Sequence, residues 1–293
     1  MSEHDTTAPH PLGVLLATDL GPRCDRATDR AIRLAREHGG PAIAATIVEA
    51  GEALAQNVPR HAIPSWYRAP SPQARAERRL HREFADAGTT WDVRVGEGSA
   101  GEQLAGILDG GGDMLVVTGP VRQGVLGPAV LGSTVDRLLR RAETSLLMVR
   151  ERAHADYRHL LVASDFSAPS RAALRRAHAL FPEARMTLLH GFQIPMLGLM
   201  DTTQDDAIAQ TRRQLREEGQ AFLHDGLADF GEVELLVEHG DPARLVQQYL
   251  ETFSPDLVVV GTHGHGAVYE LVVGSVARRI VTTTTADTLV VRA

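Results

Sequence analysis

"YRHLLVASDFSAPSRAALRRAHAL", residues 157–180, runs from an apolar stretch through Ala-Ser-Asp into an alanine-rich segment of helical spacing. "LGVLLATDLGPRCDRATDRAIRLA", residues 12–35, follows the same plan with Ala-Thr-Asp at its turn. The likeness continues downstream. "DMLVVTG" (113–119) answers "DLVVVG" (256–261), and "LGSTVDRLLRRAETSLLMVR" (131–150) answers "VGSVARRIVTTTTADTLVVR" (273–292). Gly119 and Gly261 are 142 residues apart, as are Gly132 and Gly274. A repeat of this period means two copies of one domain of ordinary size. Its bounds are expected at 1–152 and 153–293, with the polar stretch "ERAHADY" (151–157) as the seam.

Within each copy two periods alternate. Short β-rich runs occupy 14–18, 43–48, 91–95, 114–118 and 145–149, and in the second copy 159–163, 186–190, 233–237, 257–261 and 288–292. Between them lie segments of helical spacing. The clearest is 204–228, where Ile208, Leu215, Phe222 and Leu223 share a face. Several strands are apolar throughout, as parallel strands covered on both faces are. Five strands alternating with four helices predict a doubly wound α/β domain, with the ligand edge at the carboxyl ends of the strands.

Composition narrows the function. The net charge of −7 argues against nucleic acid as the main partner, with a local basic patch left open. Cys24 is the only cysteine, which excludes an intramolecular disulfide and a cysteine zinc site and suits a reducing cytoplasm. The N-terminal ten residues lack the pattern of a signal peptide, and no apolar run approaches about 20 residues. A cytoplasmic protein without a membrane partner is expected.

Three parts of the second copy should converge at the ligand edge. Ala163, Ser164 and Asp165 end its first strand; Gly261, Thr262, His263 and Gly264 follow its fourth; Gly274, Ser275 and Val276 open its last helix. Glycines let a backbone approach an anion. A helix start offers unpaired N–H groups and the positive end of the dipole. A strand-end carboxylate can accept from ribose hydroxyls or base amino groups. The combination describes a nucleotide pocket.

The spacing Gly261-x2-Gly264-x9-Gly274-Ser275, with Asp165 and the repeat, resembles the ATP-binding signature of the universal stress protein family, in its tandem form, from about residue 11 to 292. The resemblance implies two Rossmann-like, adenine-nucleotide α-hydrolase-like domains, each with a five-stranded parallel sheet, docked as a pseudo-dimer through their apolar last strands. It implies a stress-response sensor or regulator that binds ATP, with magnesium as an optional companion. Base contacts come from the first two strands, ribose contact from Asp165, and phosphate contacts from the glycine loop and helix start. Partner proteins and pairing of whole chains stay open. The first copy departs: Arg122 stands where the second loop glycine should be, and Pro120 stiffens that loop. The Arg122 side chain could fill the phosphate space or grip a phosphate, so a weakened or altered first site is expected. In the second copy Gly191 stands where the family often carries a base-contacting valine.

Plainer readings compete. His263 and His265 lack further ligands at metal spacing, so no metal site is expected. Asp165 and Ser275 could simply serve helix starts. The loops at 51–72 and 192–204, with Trp66, Tyr67, Met196 and Met200, could be packed surface or partner contacts. No activated nucleophile or acid–base pair stands out, so slow ATP hydrolysis or phosphate transfer is the most catalysis expected. The competing class is an interaction protein that acts by dimerisation without nucleotide.

Overall fold

The computed structural model describes residues 11–48, 70–110, 112–120, 144–195, 203–225, 232–262 and 274–292, with Trp66, Leu138 and Phe230. By its contacts the chain separates into two compact units, one holding the chain up to Gly119, the other everything from Glu143 onward. No described helix is long and apolar enough to cross a membrane.

The first unit contains β1 (Gly13–Ala17), α1 (Asp25–His38), β2 (Ala42–Val48), α2 (Pro72–Glu83), β3 (Trp91–Glu97), α3 (Ala100–Leu108) and β4 (Met114–Thr118). Its strands pair in parallel in the order β3-β2-β1-β4. α1 buries Ala27, Ala31, Leu34 and Ala35, one stripe at helical spacing. It ends at Gly39, whose left-handed φ of 66° lets its N–H return to the Ala35 carbonyl.

The second unit contains β5 (Ser145–Met148), β6 (His159–Ala163), α4 (Ala168–Leu180), β7 (Arg185–Phe192), α5 (Gln204–His224), β8 (Val233–His239), α6 (Pro242–Phe253), β9 (Leu257–Gly261), α7 (Ser275–Thr283) and β10 (Asp287–Val291). Five of its strands run parallel in the order β10-β9-β6-β7-β8. β5, the last strand of the first repeat, pairs antiparallel with β10. The central strands are apolar because both faces are covered: Leu160, Leu161, Val162 and Leu257 to Val260 are all at most 1% exposed. Helix starts are written into the sequence as Ser or Asp followed by Pro. Ser167 accepts from the Ser170 N–H, with Pro169 in the first turn of α4, and Asp241 accepts from the Arg244 N–H, with Pro242 opening α6.

Two glycines serve the same packing contact in both copies. A β-carbon on Gly119 would stand 2.7 Å from the Arg23 carbonyl oxygen, and one on Gly261 would stand 2.7 Å from that of Pro169. Only glycine lets the fourth strand of each copy pass so close to the start of its first helix.

At the amino ends of the second unit's strands lies a polar cluster in which His159, Thr187 and Tyr249 are buried and Arg185 and Glu234 are exposed. His159 Nε2 is 3.2 Å from Thr187 Oγ1 and 3.1 Å from Tyr249 Oη, Arg185 Nη2 is 3.0 Å from His159 Nδ1, and Thr187 donates to Glu234 at 3.1 Å. Arg185 can only donate, so His159 is neutral, with its lone pair on Nδ1. Burial first, then the Arg185 charge, lowers the His159 pKa; Asp256 and Glu234 oppose this. The unfolded chain therefore takes up this proton first, near pH ~6.5, and stability falls as pH drops below that value. A His159→Gln variant is expected to show a shallower loss of unfolding free energy between pH 7 and 5 than the wild type. Equal slopes would contradict the assignment.

Candidate functional site

The strand order of the second unit reverses direction between β6 and β9. In a doubly wound sheet a crevice opens there, beyond the carboxyl ends of the strands. A cavity of about 300 Å³ occupies this position. It lies at the small end of the range for ligand sites, about 300–1,000 Å³. Leu189, Val246, Val260 and Ile280 give it apolar walls, and Asp165, Ser167 and Ser170 face it from the β6–α4 turn.

That turn is built by its own side chains. Ser164 Oγ accepts the Phe166 N–H at 3.0 Å, and Phe166 takes a left-handed φ of 60°. Asp165 Oδ1 accepts the Ser167 N–H at 3.1 Å and both the Ser167 and Ser170 hydroxyls. Burial alone would raise the Asp165 pKa, but these hydrogen bonds outweigh it and hold the carboxyl below its usual value. The site thus keeps an ionised carboxylate, with the described bonds gathered on one oxygen.

The opposite wall is the start of α7. Gly274 is its N-cap residue, with φ −55° and ψ 152°, and as glycine it brings no side chain to cap this end. Those angles suit any residue, so glycine here has no conformational cause. Ser275 and Val276 follow in the first turn, where backbone N–H groups have no helical acceptor. Val276 is 40% exposed, a large apolar side chain in the lining of the cavity.

Of the residues singled out from sequence, Ala163, Ser164, Asp165, Gly261, Gly274, Ser275 and Val276 all line this cavity. Thr262 is buried beside it, and its N–H bonds the Val291 carbonyl, continuing the β9–β10 ladder. His263 and Gly264 lie outside the described residues, as do Arg122, Gly132 and Ser133 of the first copy and Tyr67, Met196 and Met200. Trp66 is 79% exposed. Among the described residues no three His, Cys, Asp or Glu side chains converge as a metal site would require.

Gly191 proves to be a packing glycine. A β-carbon there would lie 2.9 Å from Leu245 Cδ1 and 3.0 Å from Pro242 Cα. Its absence lets α6 settle onto β7, so that Pro242 and Val246 form part of the cavity wall. Sequence reasoning passed over these two residues and over Ser167 and Ser170 of the turn. Pro242, directly after a strand and an Asp cap, was the signal that a helix starts at the ligand edge.

The first unit repeats the turn with different chemistry. Leu20 takes φ 56° and donates to Thr18 Oγ1 at 3.0 Å. Asp19 Oδ1 accepts the Gly21 N–H at 2.8 Å and the Cys24 thiol at 3.2 Å, while Oδ2 lies 3.4 Å from Arg23. The carboxylate is thus engaged on both oxygens. Burial raises the Cys24 thiol pKa, so this cysteine stays protonated and acts as a donor.

Comparison with known proteins agrees with this architecture. The sequence model of the Universal stress protein family matches twice, at residues 13–150 and 156–292. A universal stress protein of Mycolicibacterium smegmatis is 31% identical over 188 residues, which cover 61% of this chain and 61% of that protein's length. Among solved structures, a universal stress protein from Archaeoglobus fulgidus superposes with a TM-score of 0.63 at 15% identity, covering 96% of this chain and 98% of that one. A putative universal stress protein from Pseudomonas aeruginosa gives 0.64 at 17% identity, covering 97% and 94%. At these identities the structural matches speak for the fold.

Proposed function

The chain belongs to the universal stress protein family, as two tandem copies of its domain, and we propose that the second copy binds ATP in the cavity between β6, β9 and the start of α7. Family membership supports a stress-response role, in which occupancy of this site is the signal. One observation carries the nucleotide reading. Asp165 and the Gly274–Val276 helix start, 109 residues apart in sequence at their nearest, line one cavity with apolar walls. The walls suit a base, the carboxylate oxygen that takes none of the described bonds suits ribose hydroxyls, and the helix start suits phosphate. The described part of the cavity is too small to enclose a triphosphate, so the phosphates extend to its mouth.

The site is read as a binding site, with slow ATP hydrolysis or phosphate transfer as the most catalysis proposed for it. In the first copy Arg23 lies 3.4 Å from Asp19 Oδ2, where it competes with a ligand for that oxygen, which favours the second copy as the stronger site. Domain bounds at residues 152 and 153, and docking of the two copies through their last strands, complete the proposed organisation. Releasing bound small molecules from the purified chain by heat, and separating them by chromatography, tests the reading. Adenine nucleotide in the supernatant is the expected result. A chain that carries none, and takes up none when ATP is added, would favour the nucleotide-independent interaction protein instead.

A further inference from the structure

His190 lies on β7 and bonds across to the end of β6. Its Nδ1 is 2.9 Å from the Ser164 carbonyl oxygen, which can only accept, so Nδ1 carries the hydrogen. Its ring stacks on Phe166, with centroids 4.3 Å apart and planes 15° from parallel. Ser164 and Phe166 are the neighbours of Asp165 on either side. The Ser164 N–H is already fixed to the Leu189 carbonyl at 3.0 Å, so His190 secures the other half of that peptide framework where the β ladder ends.

Comparison of the copies shows that the turn itself does not need this clamp. By sheet register Thr46 takes the place of His190, and Leu20 that of Phe166. The left-handed turn forms there all the same, with φ 56° and the same hydroxyl bond. What differs is the carboxylate. Asp19 is tied by Arg23, whereas Asp165 faces the cavity with one oxygen unengaged by any described bond. The bonds from Ser167 and Ser170 aim the carboxylate relative to the β6–α4 turn, and the His190 bond fixes that turn to β7.

We infer that His190 is a positioning residue of the nucleotide site, holding Asp165 at the angle from which it accepts the ligand's ribose hydroxyls. The inference rests on the nucleotide reading above. Its effect on a ligand passes through Asp165, so it must depend on the hydroxyls that Asp165 meets. A coupling of this kind between neighbouring groups amounts to about tenfold in affinity.

Calorimetric titration of the full chain with ATP and with 2′,3′-dideoxy-ATP tests this in three forms: wild type, His190→Phe and His190→Asn. Phenylalanine keeps a ring against Phe166 and removes the donor; asparagine restores an N–H at the same distance from the backbone. For ATP, His190→Phe is expected to weaken binding about tenfold and His190→Asn to stay within about threefold of wild type. For the dideoxy nucleotide, already weaker in the wild type, His190→Phe should change affinity by less than about twofold. Equal losses for both nucleotides, no loss for ATP, or no recovery with asparagine would overturn the proposal. Melting curves identify a variant that has not folded, in which case His190→Leu carries the same comparison. A wild type that binds no ATP overturns the site reading itself, and does so before any variant is made.

Discussion

Replacing Gly274 by glutamate is expected to abolish ATP binding and leave the melting curve close to that of the wild type. The two outcomes have separate causes. Gly274 has φ −55° and ψ 152°, a region open to every residue, so the larger side chain brings no backbone strain. A carboxylate at a helix start is, if anything, favourable to the helix dipole, by about 0.3–1 kcal/mol. For the ligand the same charge is repulsive, and the side chain enters the space in front of the first-turn N–H groups. Charge-assisted hydrogen bonds are worth about 1.5–3 kcal/mol each, so losing two of them costs at least about 3 kcal/mol, more than a hundredfold in affinity. If Gly274 merely turned the chain into α7, the variant would melt early and still bind. Calorimetry and thermal melting on one preparation separate these results.

The second large effect is expected at the seam between the repeats. Asp287 is fully buried at the start of β10. Its Oδ1 accepts the N–H groups of Arg150 and Glu151 at 2.6 and 2.8 Å, and its Oδ2 accepts the Tyr157 hydroxyl at 2.5 Å. Arg150 adds bonds to the Val281 carbonyl at 2.6 Å and to Thr288 Oγ1 at 3.0 Å. One carboxylate thus anchors both ends of residues 150–157. Asp287→Ala would remove the acceptor of these three bonds and the negative charge beside a partly buried guanidinium. A destabilisation of about 3–5 kcal/mol follows, readable as a lowered urea midpoint. Asp287→Asn, which keeps an acceptor for the two N–H groups, should fall between. A loss below about 1 kcal/mol for the alanine variant would mean that the seam is not held in this way.

Much of this architecture was legible in the sequence, and the reasons are physical. Strands buried on both faces are written as unbroken apolar runs, so β4, β6 and β9 fall on the expected residues. The repeat then fixes the topology twice over. Local signatures also carried part of the site: a strand-end Asp and a Gly-Ser helix start have meaning within a few residues. What escaped was non-local. "ERAHADY" reads as a solvated linker, yet Tyr157 is 5% exposed, because its partner Asp287 is 130 residues away. His190 reads as one polar residue at the end of an apolar strand, and its contacts with Ser164 and Phe166 exist only once β6 and β7 are paired. Gly261 was read as a ligand glycine. It does line the cavity, but the close approach that excludes a side chain is to the Pro169 carbonyl of α4.

The central proposal is that the second copy is the nucleotide site of this chain and the first at most a weaker one. Calorimetric titration of the intact wild-type chain with ATP tests it most directly. The account predicts binding at one equivalent per chain. No binding heat at any temperature tried, or two equivalents of equal affinity, would contradict it.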